Sequence, residues 1–441
     1  MTTNLSQVSQ KHALLLAPFA GHQGHLADRR ARRFCNWLTD AGFGVTVVGA
    51  LAEPHVNHPP PREYLQVPDP LRSWGAPERI GTNAVRARHE GSVRYVAARN
   101  LLVPDTAMPW SVACAMNSRV KAAAARSSII VSTSPPESPH LAGMLISRRV
   151  GVPHVVDLRD GWIDEPLKEQ IAGNGIRRWL ETSLERAVLT HAALVLVTSN
   201  EWKELLLARM PSIQSKVHVL TNAYKGRSYP NSAPVTAGNQ LPRLVYAGRF
   251  AGSRVSREPS PLVELLRREA SCSTTPFEVR FVGEMNGSEI EQIEELGGAI
   301  QHHGWKVVRT GVVSASEAQH ECNLAHGLLL LSTCHGSLPS KLFDYMATGR
   351  PILSMSPVAS ATWNACKQLP QAWQVDLNGN QQGGGAHQSF CAFLKSQPGS
   401  ALPAEFQEDA IGARFRELVD SVLSESAQAT PSTPSLHNHT D

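Results

Sequence analysis

Two stretches limit what this chain can fold into: Ala13-Leu-Leu-Leu-Ala17 and Gly327-Leu-Leu-Leu-Leu331. Each is a short, unbroken apolar run with no polar residue set aside for a solvated face. Such a run suits a strand covered on both sides, the condition of a parallel sheet between helices. The residues after the first run agree. The loop Pro18–His25 leads into a helix over about 26–41, with Ala27, Ala31, Phe34 and Leu38 on one face at helical spacing. Gly42 and Gly44 stop it, and Val45-Thr-Val-Val48 is the next strand. Strand, loop, helix and strand with short connections make a right-handed βαβ unit. Ligands of such sheets sit beyond the carboxyl ends of strands, where Gly21, His22, Gly24 and His25 fall.

The alternation recurs. Ile129–Thr133 reads as a strand, Ser134–His140 as its terminal loop, Leu141–Val150 as a helix, and Pro153–Asp157 as a strand running into Leu158-Arg159-Asp160-Gly161-Trp162. A helix over 177–189 is expected to turn Trp179, Leu180, Leu184, Ala187 and Val188 inward, before strands at 193–197 and 217–220. Residues 51–110 read as mostly irregular, with helix within 86–99, and one helical segment follows Pro104 through Ala125. A second half opens at Arg243-Leu-Val-Tyr-Ala-Gly-Arg-Phe250 and repeats the pattern through strands at 277–282, 327–331 and 351–355.

Size and composition fit this picture. The chain of 441 residues has room for two domains, and 42% hydrophobic with 18% charged residues is ordinary for a globular protein. A net charge of +4 is too small to argue for nucleic acid. Seven scattered cysteines without a Cys-x-x-Cys pair point to a reducing compartment, not to a zinc knuckle or disulfide scaffold. No stretch reaches the roughly 18 unbroken apolar residues of a membrane span. The expectation is a cytoplasmic protein, with at most peripheral contact with the inner membrane surface.

The chemistry is densest at Ser337-Leu-Pro-Ser-Lys-Leu-Phe-Asp-Tyr-Met-Ala-Thr-Gly-Arg-Pro-Ile-Leu353. Pro339 suits a helix start, Ser340 can cap orphan amides, and Gly349 supplies the stop. The amino end of such a helix is an anion site, because its N–H groups and dipole point outward. Lys341 adds positive charge there, and Asp344, one turn on, offers a carboxylate for hydroxyl groups. Phosphate beside sugar hydroxyls is what a nucleotide-sugar presents. Upstream, Asp157 and Asp160 share a loop with Arg159 and Trp162, a group able to order acceptor hydroxyls and stack a sugar ring. An internal Asp–Arg pair holding that loop together is the alternative.

Residues 339–351 resemble the nucleotide-binding segment of glycosyltransferase family 4, the retaining GT-B enzymes, with Asp344 where the family usually has Glu. Ser134-Pro-Pro-Glu-Ser-Pro and Asp157-Leu-Arg-Asp-Gly-Trp162 resemble segments of a bacterial subgroup, and Asp28-Arg-Arg-Ala-Arg-Arg33 resembles an Asp-Pro-Arg-Val-Arg-Arg segment, which puts Arg30 near the cleft. What the resemblance implies is an α/β GT-B fold, two doubly wound Rossmann-like domains facing a central cleft. Its divisions are an acceptor-side domain over 1–225, a linker over 226–242 and a nucleotide-sugar domain over 243–405. A helix over 406–424 crosses back to the first domain, ahead of a disordered tail over 425–441.

The implied activity is transfer of a sugar from a nucleoside diphosphate-sugar, UDP- or GDP-linked, to an acceptor hydroxyl with retention of configuration. The implied setting is bacterial surface polysaccharide or glycoconjugate synthesis, with a sugar, lipid-linked or small-molecule acceptor. A GT-B nucleotide-sugar epimerase and a catalytically impaired binding protein are the alternatives. No cofactor or metal is expected. Catalytic residues carried over are Arg249, Arg254, Asp157, Arg159 and Asp160. Gly248, Arg249, Arg254, His335, Pro339, Ser340, Lys341, Leu342 and Asp344 would bind the donor. Gly21, His22, Gly24, His25, Arg30 and Trp162 would line the acceptor side. Arg254 stands where the family usually has Lys, and Arg159 where many members have His. Eight positions before Asp344, where the family often has a second Glu, this chain has Gly336, with His335 as the nearest substitute.

Overall fold

The computed structural model describes residues 11–21, 26–50, 62–71, 101–165, 175–226, 241–250, 259–273, 275–377, 384–396 and 402–429. In the first half, strands β1 (His12–Leu16), β2 (Gly44–Gly49), β3 (Arg62–Gln66), β4 (Ile129–Thr133), β5 (His154–Leu158), β6 (Leu194–Val197) and β7 (Val217–Val219) form one sheet. Its order is β3-β2-β1-β4-β5-β6-β7, and every neighbouring pair is parallel. Around it lie helices α1 (Leu26–Asp40), α2 (Met108–Met116), α3 (Ser118–Ala125), α4 (Ser138–Val150), α5 (Gly175–His191) and α6 (Asn200–Arg209). The apolar run of β1 serves both faces, with Ala13 and Leu15 in one core layer and Leu14 and Leu16 in the other.

The second half repeats the plan with β8 (Arg243–Ala247), β9 (Glu278–Val282), β10 (Lys306–Gly311), β11 (Gly327–Leu331), β12 (Ile352–Ser356) and β13 (Ala372–Asp376). These run parallel in the order β10-β9-β8-β11-β12-β13. Helices α7 (Ser260–Cys272), α8 (Gly287–Ile300), α9 (Ala315–Leu324), α10 (Ser340–Thr348), α11 (Ala361–Lys367) and α12 (Gly384–Lys395) flank the sheet. In β11, Leu329 and Leu331 face one layer while Leu328 and Leu330 face the other, as the unbroken leucine run requires.

The last helix, α13 (Glu408–Ala429), leaves the second half and packs on the first. Phe415 meets Phe34 and Trp37 of α1 at ring-centroid distances of 5.1 and 5.8 Å. The helix runs to Ala429, five residues beyond the expected end at 424. Where the chain crosses, Tyr224 N–H donates to Phe406 O at 3.0 Å and Glu408 N–H to Tyr224 O at 3.0 Å. The expected linker over 226–242 lies almost wholly outside the described residues, as does the tail beyond 429.

Several expectations are corrected. The stretch 51–110 contains β3, and 306–311 is a strand too; both are edge strands without an unbroken apolar run. The helical segment ending at Ala125 is two helices, because the Asn117 side chain turns back to accept from Arg119 N and Val120 N and caps α3. Helix α5 does not turn Trp179 and Leu180 inward: they are 67% and 38% exposed. Val188 is buried as expected, with Leu189, but the rest of the buried face carries Arg177, Glu181 and Glu185. Arg177 pairs with Glu181 at 3.1 Å, and Glu185 pairs with Arg209 of α6 at 2.6 Å, so partnered charges take the inner face.

Candidate active site

In each sheet the strand order reverses once, between β1 and β4 and between β8 and β11. The loops leaving these strands are therefore the natural ligand sites of the two halves. Side chains span the halves beside them. Ser199 Oγ donates to Gly336 O at 2.8 Å, Asn364 Nδ2 donates to Glu201 Oε1 at 2.7 Å, and Arg29 reaches Asp344.

In the second half, β8 ends at Gly248, whose φ of +97° a side chain would strain. Its N–H donates to Val282 O at 2.7 Å, which holds the turn against β9. Helix α10 starts at Ser340, with Pro339 in the N-cap position and no side-chain cap, so Ser340 opens the helix without capping it. Tyr345 explains how the helix is held: its hydroxyl accepts from Ala247 N at 2.8 Å and donates to Leu329 O at 3.2 Å. Burial pushes the Tyr345 hydroxyl well above the usual tyrosine range, so it stays a proton donor. Leu342 is fully buried and serves the core, while Gly349 ends the helix in the left-handed conformation.

Lys341 lies over the Tyr246 ring, 3.9 Å from its centroid, and donates to the Tyr246 hydroxyl at 2.7 Å. Tyr246 in turn donates to Arg249 O at 3.2 Å. Gly248, Arg249, Lys341 and the amino end of α10 thus converge. The Arg249 guanidinium is held by Glu284, from the loop after β9, at 2.5 Å. Asp344 accepts both Nη atoms of Arg29, at 2.5 and 3.1 Å. Arg254 lies outside the described residues, and His335 is exposed with its carbonyl accepting from Ala361 N at 2.8 Å.

Gly336 is glycine for a steric reason. A Cβ there would lie 2.5 Å from the Trp202 ring of α6, which also touches Gly161. Trp202 fills the space that a side chain at 336 would need, so there is no room for a carboxylate at this position.

In the first half, Gly21 N donates to Asp28 Oδ1 at 2.7 Å, closing the β1 loop onto α1. His22, Gly24 and His25 lie outside the described residues. Arg30 and Asp157 are 1% and 0% exposed and bind each other through two hydrogen bonds of 2.8 and 3.2 Å. Thr133 Oγ1 also donates to Asp157, and Arg30 donates to the Leu220 and Thr221 carbonyls. Both side chains are engaged within the fold. Trp162 is buried against His140, without an open face for a sugar. Arg159 and Asp160 are only partly buried. Burial raises the Asp160 carboxyl above its usual range, with Arg159 opposing and Asp157 adding to the shift. Asp160 and Trp162 line a small cavity with Asp164, Glu185 and Trp202.

The residues that sequence reasoning passed over are Arg29, Tyr246, Glu284 and Trp202. For Arg29 a signal was available. Arg30 shares the helical face of Phe34 and Leu38, which predicts burial, whereas Arg29 is turned off that face.

Two facing parallel sheets with a returning C-terminal helix define the GT-B class of glycosyltransferase folds. Residues 27–223 match the model of the glycosyl transferase 4-like domain. Among solved structures it is similar to the lipopolysaccharide outer core galactosyltransferase WaaB in its apo form. They share 14% identity, a TM-score of 0.59, and coverage of 93% of this chain and 99% of that one. Anabaena Alr3699/HepE in complex with UDP and glucose is similar at 14% identity and TM-score 0.56, covering 93% and 100%. The α,α-trehalose 6-phosphate synthase of Burkholderia multivorans is similar at 10% identity and TM-score 0.59, covering 96% and 99%. Identities this low establish the shared fold. No curated protein sequence matches the chain. No helix among the described residues is long and apolar enough to cross a membrane.

Proposed function

We propose that this protein transfers a sugar from a nucleoside diphosphate-sugar to an acceptor hydroxyl with retention of configuration, in the building of a bacterial surface polysaccharide or glycoconjugate. One observation carries the reading: Gly248–Arg249, Lys341, the start of α10 and Asp344 meet at the switch point of the second sheet. The diphosphate takes the positive side of that group, Arg249, Lys341 and the helix end, with Arg254, five residues after Arg249 in the chain, assigned as a further cation. Asp344, one turn along α10, accepts the ribose hydroxyls. His335, in the loop after β11, is the residue assigned to the donor sugar. Negative charge grows on the diphosphate as it leaves, so fixed cations and helix amides there lower the barrier. The acceptor hydroxyl attacks from the face the diphosphate leaves and gives its proton to a phosphate oxygen, which preserves configuration. Arg159 and Asp160 order that hydroxyl from the first half, while Arg30, Asp157 and Trp162 set their loop from beneath. UDP and UDP-glucose appear with the HepE protein of this fold, which makes a UDP-sugar the first donor to try.

Thermal-shift titration with UDP, GDP, dTDP and ADP tests the reading. Stabilisation by one of them, lost in Arg249→Ala, is the expected result; no shift with any of the four would reject it. Release of free nucleotide from the matching nucleotide-sugar on adding acceptor then separates transferase from binding protein.

A further inference from the structure

The four arginines of α1 are not equivalent. Arg30 is buried on Asp157, Arg32 pairs with Asp28 at 2.5 Å, and Arg33 donates to Ala223 O and faces Glu408 at 3.9 Å. These three are committed to the first half and the helix that returns to it. Arg29 alone of the four reaches the second half, where its two Nη atoms hold both oxygens of Asp344. That carboxylate is the group assigned to the donor ribose. A bidentate guanidinium and a vicinal diol need the same two oxygens, so they exclude each other.

We infer that Arg29 is a positioning residue that occupies Asp344 while the site holds no donor, and that the ribose hydroxyls must displace it to bind. The inference rests on the donor reading proposed for this site. Arg29 and Asp344 are 45% and 33% exposed, so the pair is a surface one and its displacement is cheap. An exposed pair of this kind corresponds to about a two- to fivefold weakening of donor affinity. Glu408 at the start of α13 also acts on Arg29 electrostatically.

The test is calorimetric titration of UDP and GDP into the full-length protein and its Arg29→Gln, Arg29→Lys, Asp344→Ala and doubly substituted Arg29→Gln/Asp344→Ala forms. Arg29→Gln should bind the nucleotide about two- to fivefold more tightly, and Arg29→Lys, which keeps the charge, should stay near the wild type. Inorganic pyrophosphate, having no ribose, should bind Arg29→Gln and wild type alike. In the Asp344→Ala background the Arg29 change should do nothing. Unchanged or weaker nucleotide binding by Arg29→Gln would overturn the inference, as would an equal gain for pyrophosphate. Asp344→Ala separates the two readings. If it binds nucleotide as the wild type does, or if the wild type binds neither nucleotide, the donor assignment falls and the inference with it. If Asp344→Ala is weakened while Arg29→Gln is unchanged, only the inference falls.

Discussion

Gly336→Ala is a small change that should have a large effect. The new Cβ would sit 2.5 Å from Trp202 Cδ2 and 2.7 Å from both Cε2 and Cε3. Ordinary carbon contacts lie near 3.5–4.0 Å, so the overlap is roughly 1 Å against a flat, rigid ring. Trp202 is 3% exposed, and a Cβ at Gly161 would also come within 2.5 Å of it, so the ring has little room to retreat. Overpacking of this sort costs about 1–3 kcal/mol. In domains of 150–250 residues each kcal/mol lowers Tm by about 2–4 °C. The effect should depend on the indole. In a Trp202→Leu background, itself destabilised by lost packing, Gly336→Ala should cost about 0.5 kcal/mol or less, giving a coupling of at least about 0.5 kcal/mol in the double-mutant cycle. Urea unfolding of the four proteins, followed by far-UV circular dichroism, supplies the cycle. Additive effects would refute the claim that Trp202 is why position 336 carries no side chain.

The same geometry sets three further outcomes. Arg249→Ala removes a half-exposed pair with Glu284, so stability should change by no more than about 1 kcal/mol while nucleoside-diphosphate affinity falls roughly ten- to a hundredfold, read by calorimetry. Tyr345→Phe leaves the buried Ala247 N–H without its partner and should destabilise by about 1–3 kcal/mol in chemical denaturation. His140 and His154 both lie 2.7 Å from Ser132 Oγ in the core, and burial lowers both imidazoles, His140 to about 4 from 6.5. Their neutral forms are the folded ones. Stability should therefore be complete above the unfolded value of 6.5 and fall as pH drops towards 4, by up to about 1.4 kcal/mol per pH unit for each imidazole. Unfolding titrations between pH 7 and 5 read the slope, and His140→Gln should flatten it.

The fold was legible where burial on both faces leaves an unbroken apolar run, as in β1, β4 and β11. It was not legible at the sheet edges: β3 and β10 carry Arg, Glu, Lys and Thr because water or loops meet one side. Helix α5 misled because Glu185 finds its partner in Arg209, a pairing across elements that no local periodicity reveals. At the site, the residues of α10 stood out because helix start, cation, carboxylate and stop are contiguous in the chain. Glu284 and Trp202 did not, since each acts on a residue it meets only in three dimensions. Asp157 and Arg30 looked like cleft residues for the same reason: their mutual burial is a tertiary fact.

The donor-site assignment is tested most directly by a crystal structure of the protein with the nucleoside diphosphate that stabilises it. The diphosphate should lie at Arg249, Lys341 and the amino end of α10, with both ribose hydroxyls on Asp344 and Arg29 turned away. A nucleotide bound elsewhere, with the Arg29–Asp344 and Arg249–Glu284 pairs intact, would contradict it.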